Sequence, residues 1–247
     1  MIIKCDAKEI QTALLKLKKN PVKNIYGISY ISGFPFNDDY YKAYKTDTGY
    51  CVVMGDALHL YSYSDTDEID SFIGITGVNA VYDYQCSSAY GKYDRADIFA
   101  LDNDDKLLFG TLTEKCNASD EDEIYCLWKK YFPGTPDRNV FDITAIEQRC
   151  YLHGRRCKIT DGGKIISTAS VLMENDISSL LGGIVTDPDY RGSGLAGQTV
   201  SFMAKEILNS GKIPVVFTIN ETAKRLYRHL GFEKIGCVDI IRTNYSK

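Results

Sequence analysis

From Ile184 to Gly197 the chain reads Ile184-Val185-Thr186-Asp187-Pro188-Asp189-Tyr190-Arg191-Gly192-Ser193-Gly194-Leu195-Ala196-Gly197. An apolar run breaks at a proline, and three glycines then open an amphipathic stretch. Val200, Met203, Ala204, Ile207 and Leu208 recur at helical spacing, which predicts a helix over Gly192–Asn209 closed by Gly211. Ser178–Thr186 before it and Pro214–Ile219 after it read as strands. A strand, a turn, a helix and a strand of these lengths form one parallel pair joined by a right-handed crossover. Few folds accommodate such a unit with a glycine-rich entry to its helix.

The turn also carries chemistry. Small residues let a ligand approach the backbone. The first amides of a helix lack intrahelical partners, and the helix dipole adds partial positive charge there. Together these features suit a phosphate or diphosphate. Gly192, Gly194 and Gly197 also spell the dinucleotide fingerprint, with Glu221 downstream. That reading fails on context, because Asp187–Arg191 separate the strand from the first glycine and only one strand-helix-strand unit remains. A Walker loop fails for want of a Gly-Lys-Ser/Thr, and a nucleophile elbow fails because Arg191, not glycine, stands two residues before Ser193. A tight turn that binds nothing remains an alternative for this segment taken alone.

The surrounding pattern is mixed. Arg156–Ile159 and Lys164–Leu172 read as a hairpin around Asp161-Gly162-Gly163, and Ile143–Gln148 as a helix with Asp142 as its cap. Thr222–Leu230 reads as a helix closed by Gly231, and Cys237–Arg242 as a last strand. In the first half, residues 7–19 and Asp65–Thr76 read as helices, the latter stopped by Gly77. Strands are expected at Asn24–Ile31, Tyr50–Met54, Leu58–Tyr63, Ala80–Gln85 and Ala96–Leu101. Ile124, Leu127, Trp128 and Tyr131 mark a helix that ends at Pro133-Gly134, and Pro136 follows. This is the expected boundary between a domain of residues 1–135 and one of residues 136–247. The fold class is α+β, with a mostly antiparallel sheet flanked by helices in the second domain and a smaller αβ domain before it.

Composition excludes several function classes. The 247 residues carry a formal net charge of −4, so a basic nucleic-acid-binding face is not expected. The basic runs are short, such as Lys16 with Lys18-Lys19 and Arg155-Arg156. The eight cysteines form no C-x-x-C pair and no zinc spacing, so no metal is expected. No segment has the length of a membrane span, and the start lacks a signal-peptide core. A cytoplasmic protein with reduced thiols is the expectation.

Two blocks together resemble the GNAT superfamily of acyl-CoA-dependent N-acyltransferases. That family's signature, Arg/Gln-x-x-Gly-x-Gly/Ala, is matched by Arg191-Gly192-Ser193-Gly194-Leu195-Ala196. A second family block, an asparagine, an alanine three residues on, then Leu-Tyr and Leu-Gly-Phe, is matched by Asn220, Ala223, Leu226-Tyr227 and Leu230-Gly231-Phe232. The resemblance covers about Asp142–Ile240 and does not reach the first 135 residues. From the similar order of helices and strands, the first domain is expected to be a degenerate, shortened relative of the second. It has no glycine-rich turn and is expected to bind no CoA.

The resemblance implies acetyl-CoA as co-substrate and an amine of a small molecule or peptide as acceptor. It implies that Ile184, Val185 and Thr186 line the pantetheine arm through backbone groups. Arg191 and Gly192, Ser193, Gly194, Leu195, Ala196 and Gly197 would hold the pyrophosphate, and Asn220 would contact the CoA arm. The strands before and after the crossover helix should part at their C-terminal ends to admit the arm. Tyr227 would face the sulfur and protonate the leaving thiolate, although its spacing from Ala223 also fits a core tyrosine. A thioester needs no covalent intermediate. It needs two positioned reactants, a donor at the carbonyl and a path for protons. For the base, Ser178–Thr186 and Pro214–Ile219 offer no carboxylate, which leaves Glu174 beside the preceding turn, or water. A CoA-binding sensor or regulatory module without turnover is the alternative from a different class.

Overall fold

The computed structural model describes residues 1–34, 39–87, 92–108, 110, 112–132 and 135–243. Its elements in chain order are β1 (Ile3–Lys4), α1 (Ala7–Leu17), α2 (Ile25–Gly33), β2 (Tyr41–Lys45), β3 (Tyr50–Met54), β4 (Ala57–Leu60), α3 (Thr66–Thr76) and β5 (Ala80–Asp83). Next come β6 (Asp94–Ala100), β7 (Thr113–Lys115), α4 (Glu121–Tyr131), α5 (Arg138–Tyr151), β8 (Arg155–Asp161), β9 (Lys164–Glu174) and β10 (Ser178–Thr186). The chain closes with α6 (Leu195–Asn209), β11 (Ile213–Thr218), α7 (Glu221–His229) and β12 (Glu233–Arg242). Among the described residues no helix is long and apolar enough to cross a membrane.

The compact units divide differently from the expected 1–135 and 136–247. One comprises Met1–Ile98, Thr218–Asn220 and the stretch from Lys234 onward; the other comprises Phe99–Phe217 and Glu221–Glu233. The boundary moves upstream because α4 packs on β9 and β10 and shares a core with them: Ile124, Leu127 and Trp128 lie with Phe141, Ile165 and Val185. Pro133-Gly134 lies outside the described residues.

In the first unit the strand order is β1-β2-β3-β4-β5-β12-β6. The pairs β1–β2, β2–β3 and β3–β4 are antiparallel, and β4–β5 is parallel across α3. The second unit has the order β11-β10-β9-β8-β7, with antiparallel β7–β8, β8–β9 and β9–β10 and a parallel β10–β11 across α6. Each unit thus follows the same course: a short strand, two helices, three antiparallel strands, a crossover helix and a parallel strand. No sequence repeat announces this.

Several local expectations hold. The Asp161–Lys164 hairpin turns on Gly162 and Gly163 at φ +56° and +81°, and Gly77 caps α3 in the left-handed region. Two do not. Asn24–Ile31 is helix, not strand: its β-branched residues suggest a strand, but Ile25, Ile28 and Ile31 are buried at helical spacing where α2 packs against α1. The helix expected at Ile143 starts at Arg138, with Asp137 as N-cap; Asp142 lies inside it and accepts from Arg138 Nε at 2.8 Å.

The first unit buries an aromatic stack around His59. This ring is parallel to Tyr82 at 4.6 Å, and its Nδ1 lies 3.1 Å from the Tyr84 hydroxyl. Burial pushes the His59 pKa down to about 3. The unfolded imidazole protonates near 6.5 while the folded one stays neutral. The stability tied to His59 is therefore complete above pH 6.5 and is lost as pH falls toward 3, at about 1.4 kcal/mol per pH unit. Thermal melts between pH 7.5 and 5.0 are expected to show a falling Tm, with a flatter slope in His59→Phe. Parallel slopes would remove His59 as the cause.

Candidate functional site

The second unit opens where β10 leaves its neighbours. Ser178–Leu181 pair in parallel with Ile213–Val216, and the pairing ends there although β10 runs on to Thr186 and β11 to Thr218. This is the parting that the family resemblance implies. On its other edge β10 is irregular against β9, with a register shift between Gly182 and Val185. Gly183 sits in that irregularity at φ +56°. The sequence offered a signal that went unused, since adjacent glycines inside a strand pattern mark a bulge or a close approach.

The bulge is held from behind. A Cβ on Gly183 would lie 2.1 Å from the Trp128 ring. Trp128 Nε1 donates to Thr168 Oγ1 at 3.0 Å, and that hydroxyl donates to the Gly183 carbonyl at 3.0 Å. Gly183→Ala is expected to cost about 1–2 kcal/mol for the left-handed backbone and about 1–3 kcal/mol more for overpacking. Chemical denaturation measures this directly, and wild-type stability in the variant would show that the ring does not rest on Gly183.

Beyond Thr186 the chain is anchored on one side and open on the other. The buried Asp187 carboxylate accepts from Lys164 Nζ at 2.7 Å, and that hydrogen bond holds its carboxyl below the ordinary carboxylate range. Tyr190 donates its hydroxyl to Asp161 at 2.9 Å, Arg191 Nε donates to the Thr186 carbonyl at 3.1 Å, and Ser193 Oγ donates to the Tyr190 carbonyl at 2.5 Å. Gly192 and Gly194 take φ +82° and +80°, with open space where a Cβ would stand. α6 begins at Leu195, three residues later than expected, with Gly194 as an N-cap that supplies no side-chain hydrogen bond. The backbone amides of residues 192–197 donate no hydrogen bond to any described residue, and the first helical bond is made by Gln198. Six consecutive unpaired donors at a helix start form a cradle for an anion.

The side chains divide into two roles. Leu195 packs with Ile159, Ile166 and Tyr190, and Gly197 gives room to Leu108 and Leu226, so both can offer only their amides to a ligand. Val185 is in the core with Trp128, Thr186 shares a 2.9 Å hydrogen bond with Ser167, and Ile184 packs on the larger core cluster. What this strand can present is backbone. Asn220 stands between β11 and α7, and its amide donates to Thr218 Oγ1 at 3.0 Å.

Tyr227 projects from α7 into the core beside Phe99 and Phe232, with ring centroids at 6.1 and 5.7 Å. Burial raises its pKa above the ordinary tyrosine value. Its hydroxyl makes no hydrogen bond to a described residue.

Glu174 is a different case. It ends β9 opposite Ser179, at the start of β10 and seven residues from Thr186, roughly 23 Å at 3.3 Å per residue. Its carboxylate accepts from Lys212 at 2.7 Å, Arg155 at 2.9 Å and Ser179 at 2.8 Å. Burial works against its charge, but these three hydrogen bonds outweigh it and keep the carboxyl below its ordinary range. A carboxylate so satisfied is a strut and a poor proton acceptor. The base role expected of Glu174 is withdrawn.

Residues 159–240 match the FR47-like protein family model, which is GNAT-related. Solved structures resemble the whole chain. A GCN5-related N-acetyltransferase from Sphaerobacter thermophilus aligns at 13% identity over 100% of this chain and 96% of its own, with a TM-score of 0.66. A GNAT-family acetyltransferase from Colwellia psychrerythraea aligns at 15% over 98% and 100%, with a TM-score of 0.63. A tandem GNAT protein from the clavulanic acid biosynthesis pathway aligns at 10% over 100% and 99%, with a TM-score of 0.62. No curated protein matches the chain. At these identities the likeness establishes the fold: the chain has the GNAT fold, and the resemblance read in its C-terminal half stands.

Proposed function

We propose that this GNAT-fold chain transfers an acetyl or acyl group from acyl-CoA to a primary amine, by direct attack within a ternary complex. The observation that carries the reading is the row of six amides at residues 192–197 that have no partner among the described residues, a short turn after a strand that parts from its parallel neighbour. Pyrophosphate would take the amides with Arg191, and the pantetheine arm would lie along the backbone of Ile184–Thr186 as an added strand, with Asn220 contacting the arm. A backbone amide of the bulged segment near Gly183 would polarise the thioester carbonyl. The amine attacks the carbonyl carbon, the C–S bond breaks, and Tyr227 gives its proton to the departing sulfur. The ammonium proton goes to water, since Glu174 is engaged elsewhere.

The first unit is proposed to be the degenerate counterpart. Its crossover helix α3 is capped by the Asp65 side chain, which accepts from Glu68 N at 2.9 Å, and Asp67 and Glu68 fill the first turn. Carboxylates stand there where the second unit leaves amides free, so a diphosphate would be repelled. A cytoplasmic setting with reduced thiols is part of this proposal.

A CoA-binding module without turnover is the second reading. The engagement of Glu174 favours it, because the chain then lacks an assigned base. Free-thiol release from acetyl-CoA across a panel of amines, run beside acetyl-CoA calorimetry, separates the two. Amine-dependent release supports the enzyme, binding without release supports the module, and absence of both refutes the CoA site.

A further inference from the structure

The second unit holds a cavity of about 200 Å³ near the far end of α6. Glu206 on its wall lies eleven residues beyond Leu195, roughly 16 Å down the helix from the turn. The Arg155-Arg156 run, unused by the CoA site, lines this cavity together with Arg149, Lys115 and Glu121.

The charges are unevenly matched. Glu121 accepts from both Arg149 Nη1 and Arg156 Nη1. Glu174, just behind the wall, accepts from both Arg155 and Lys212. In each trio one carboxylate answers two cations, so each keeps a single positive charge. Lys115 and Glu206 pair at 2.5 Å and cancel. This positive wall belongs to a chain of net charge −4. Arg156 is pinned: its side chain is 10% exposed, and its guanidinium lies over the Trp128 and Phe141 rings at 5.2 and 5.3 Å. Burial pulls its pKa down, and the paired Glu121 carboxylate only partly offsets this. The rest of the wall includes Ala145, Val171 and Met203. The buried Arg156 is already paired with Glu121, while Arg149 and Arg155 are 43% and 32% exposed and so within reach of an entering anion, and guanidinium groups take carboxylate and phosphate through paired N–H bonds.

We propose that this cavity binds a small organic dianion, with its anionic groups on Arg149 and Arg155-Arg156 and its carbon atoms against Ala145, Val171 and Met203. Its volume equals about six or seven waters, at about 30 Å³ each, which is the scale of a short dicarboxylate or a phosphate monoester.

Calorimetry of the full chain in low-salt buffer, titrated separately with succinate and with inorganic phosphate, tests this. At least one probe is expected to bind saturably, and which of them does so identifies the anion class. Arg149→Gln and Arg155→Gln are each expected to weaken binding at least tenfold, with thermal melts showing that the fold is kept. Because phosphate could also settle at the glycine-rich turn, Gly194→Glu is the control, and binding is expected to survive it. No saturable binding of either probe overturns the proposal. So does binding lost in Gly194→Glu and kept in both arginine variants, since the anion then belongs to the turn.

Discussion

Gly194→Glu is expected to weaken acetyl-CoA affinity by about 100-fold or more while leaving the rest of the fold intact. Two effects act at one position. Gly194 sits at φ +80°, where an L-residue pays about 1–2 kcal/mol, so the new residue strains the turn that aims the amides. The space beyond its Cα is open, so the side chain projects to where a diphosphate would lie. A carboxylate about 4 Å from a phosphate charge costs about 4 kcal/mol at an effective dielectric of 20, and less where solvent screens it. The strain alone would predict a small loss, and the repulsion makes it large. Gly194→Ala isolates the strain and is expected to fall in between. The readout is acetyl-CoA calorimetry beside a thermal melt. Unchanged affinity in a folded Gly194→Glu would take the pyrophosphate away from residues 192–197.

Tyr227→Phe is expected to lower kcat by roughly 100-fold with little change in acetyl-CoA affinity or stability. The ring packs with Phe99 and Phe232, and phenylalanine keeps that packing. The lost hydroxyl has no hydrogen-bond partner among the described residues, so its removal breaks no internal bond. The pH profile supplies a sharper sign. Burial raises the Tyr227 pKa, so the neutral, donating form persists to pH values beyond the ordinary tyrosine value of about 10. The wild-type rate should hold through that range, and any high-pH limb belonging to Tyr227 should vanish in Tyr227→Phe. A core role predicts the reverse, with turnover and pH profile unchanged. A wild-type rate in Tyr227→Phe would return the residue to the core.

Legibility in the sequence followed the range of the interactions. The turn at Asp187–Gly197, the Gly162-Gly163 hairpin and the Gly77 cap depend on residues close in the chain, where φ preferences and helix periodicity act. The parallel pairing of β10 with β11 was also readable, because a crossover of that length leaves few alternatives, whereas their parting followed only from the family resemblance. The α2 segment was misread because its isoleucines carry a strand propensity that packing against α1 overrides. Glu174 was misjudged because a carboxylate's basicity depends on its partners: Lys212 lies 38 residues away in sequence and Arg155 lies 19.

By itself the sequence determined that a glycine-opened turn leads into a helix after Asp187, and unpaired amides belong to any helix start. It did not determine what shapes the strand leading there. The bulge at Gly183 is held by Trp128 and Thr168, which reach it from another helix and another strand. The order of helices and strands did suggest that the first unit is a shortened relative of the second, but not which strands pair. Strand order and pairing arise from burial shared across the whole unit, and many unlike sequences satisfy them. An unpaired amide is a local fact of the backbone, whereas a carboxylate's proton affinity, a bulge and a charged cavity exist only once distant residues have been brought together.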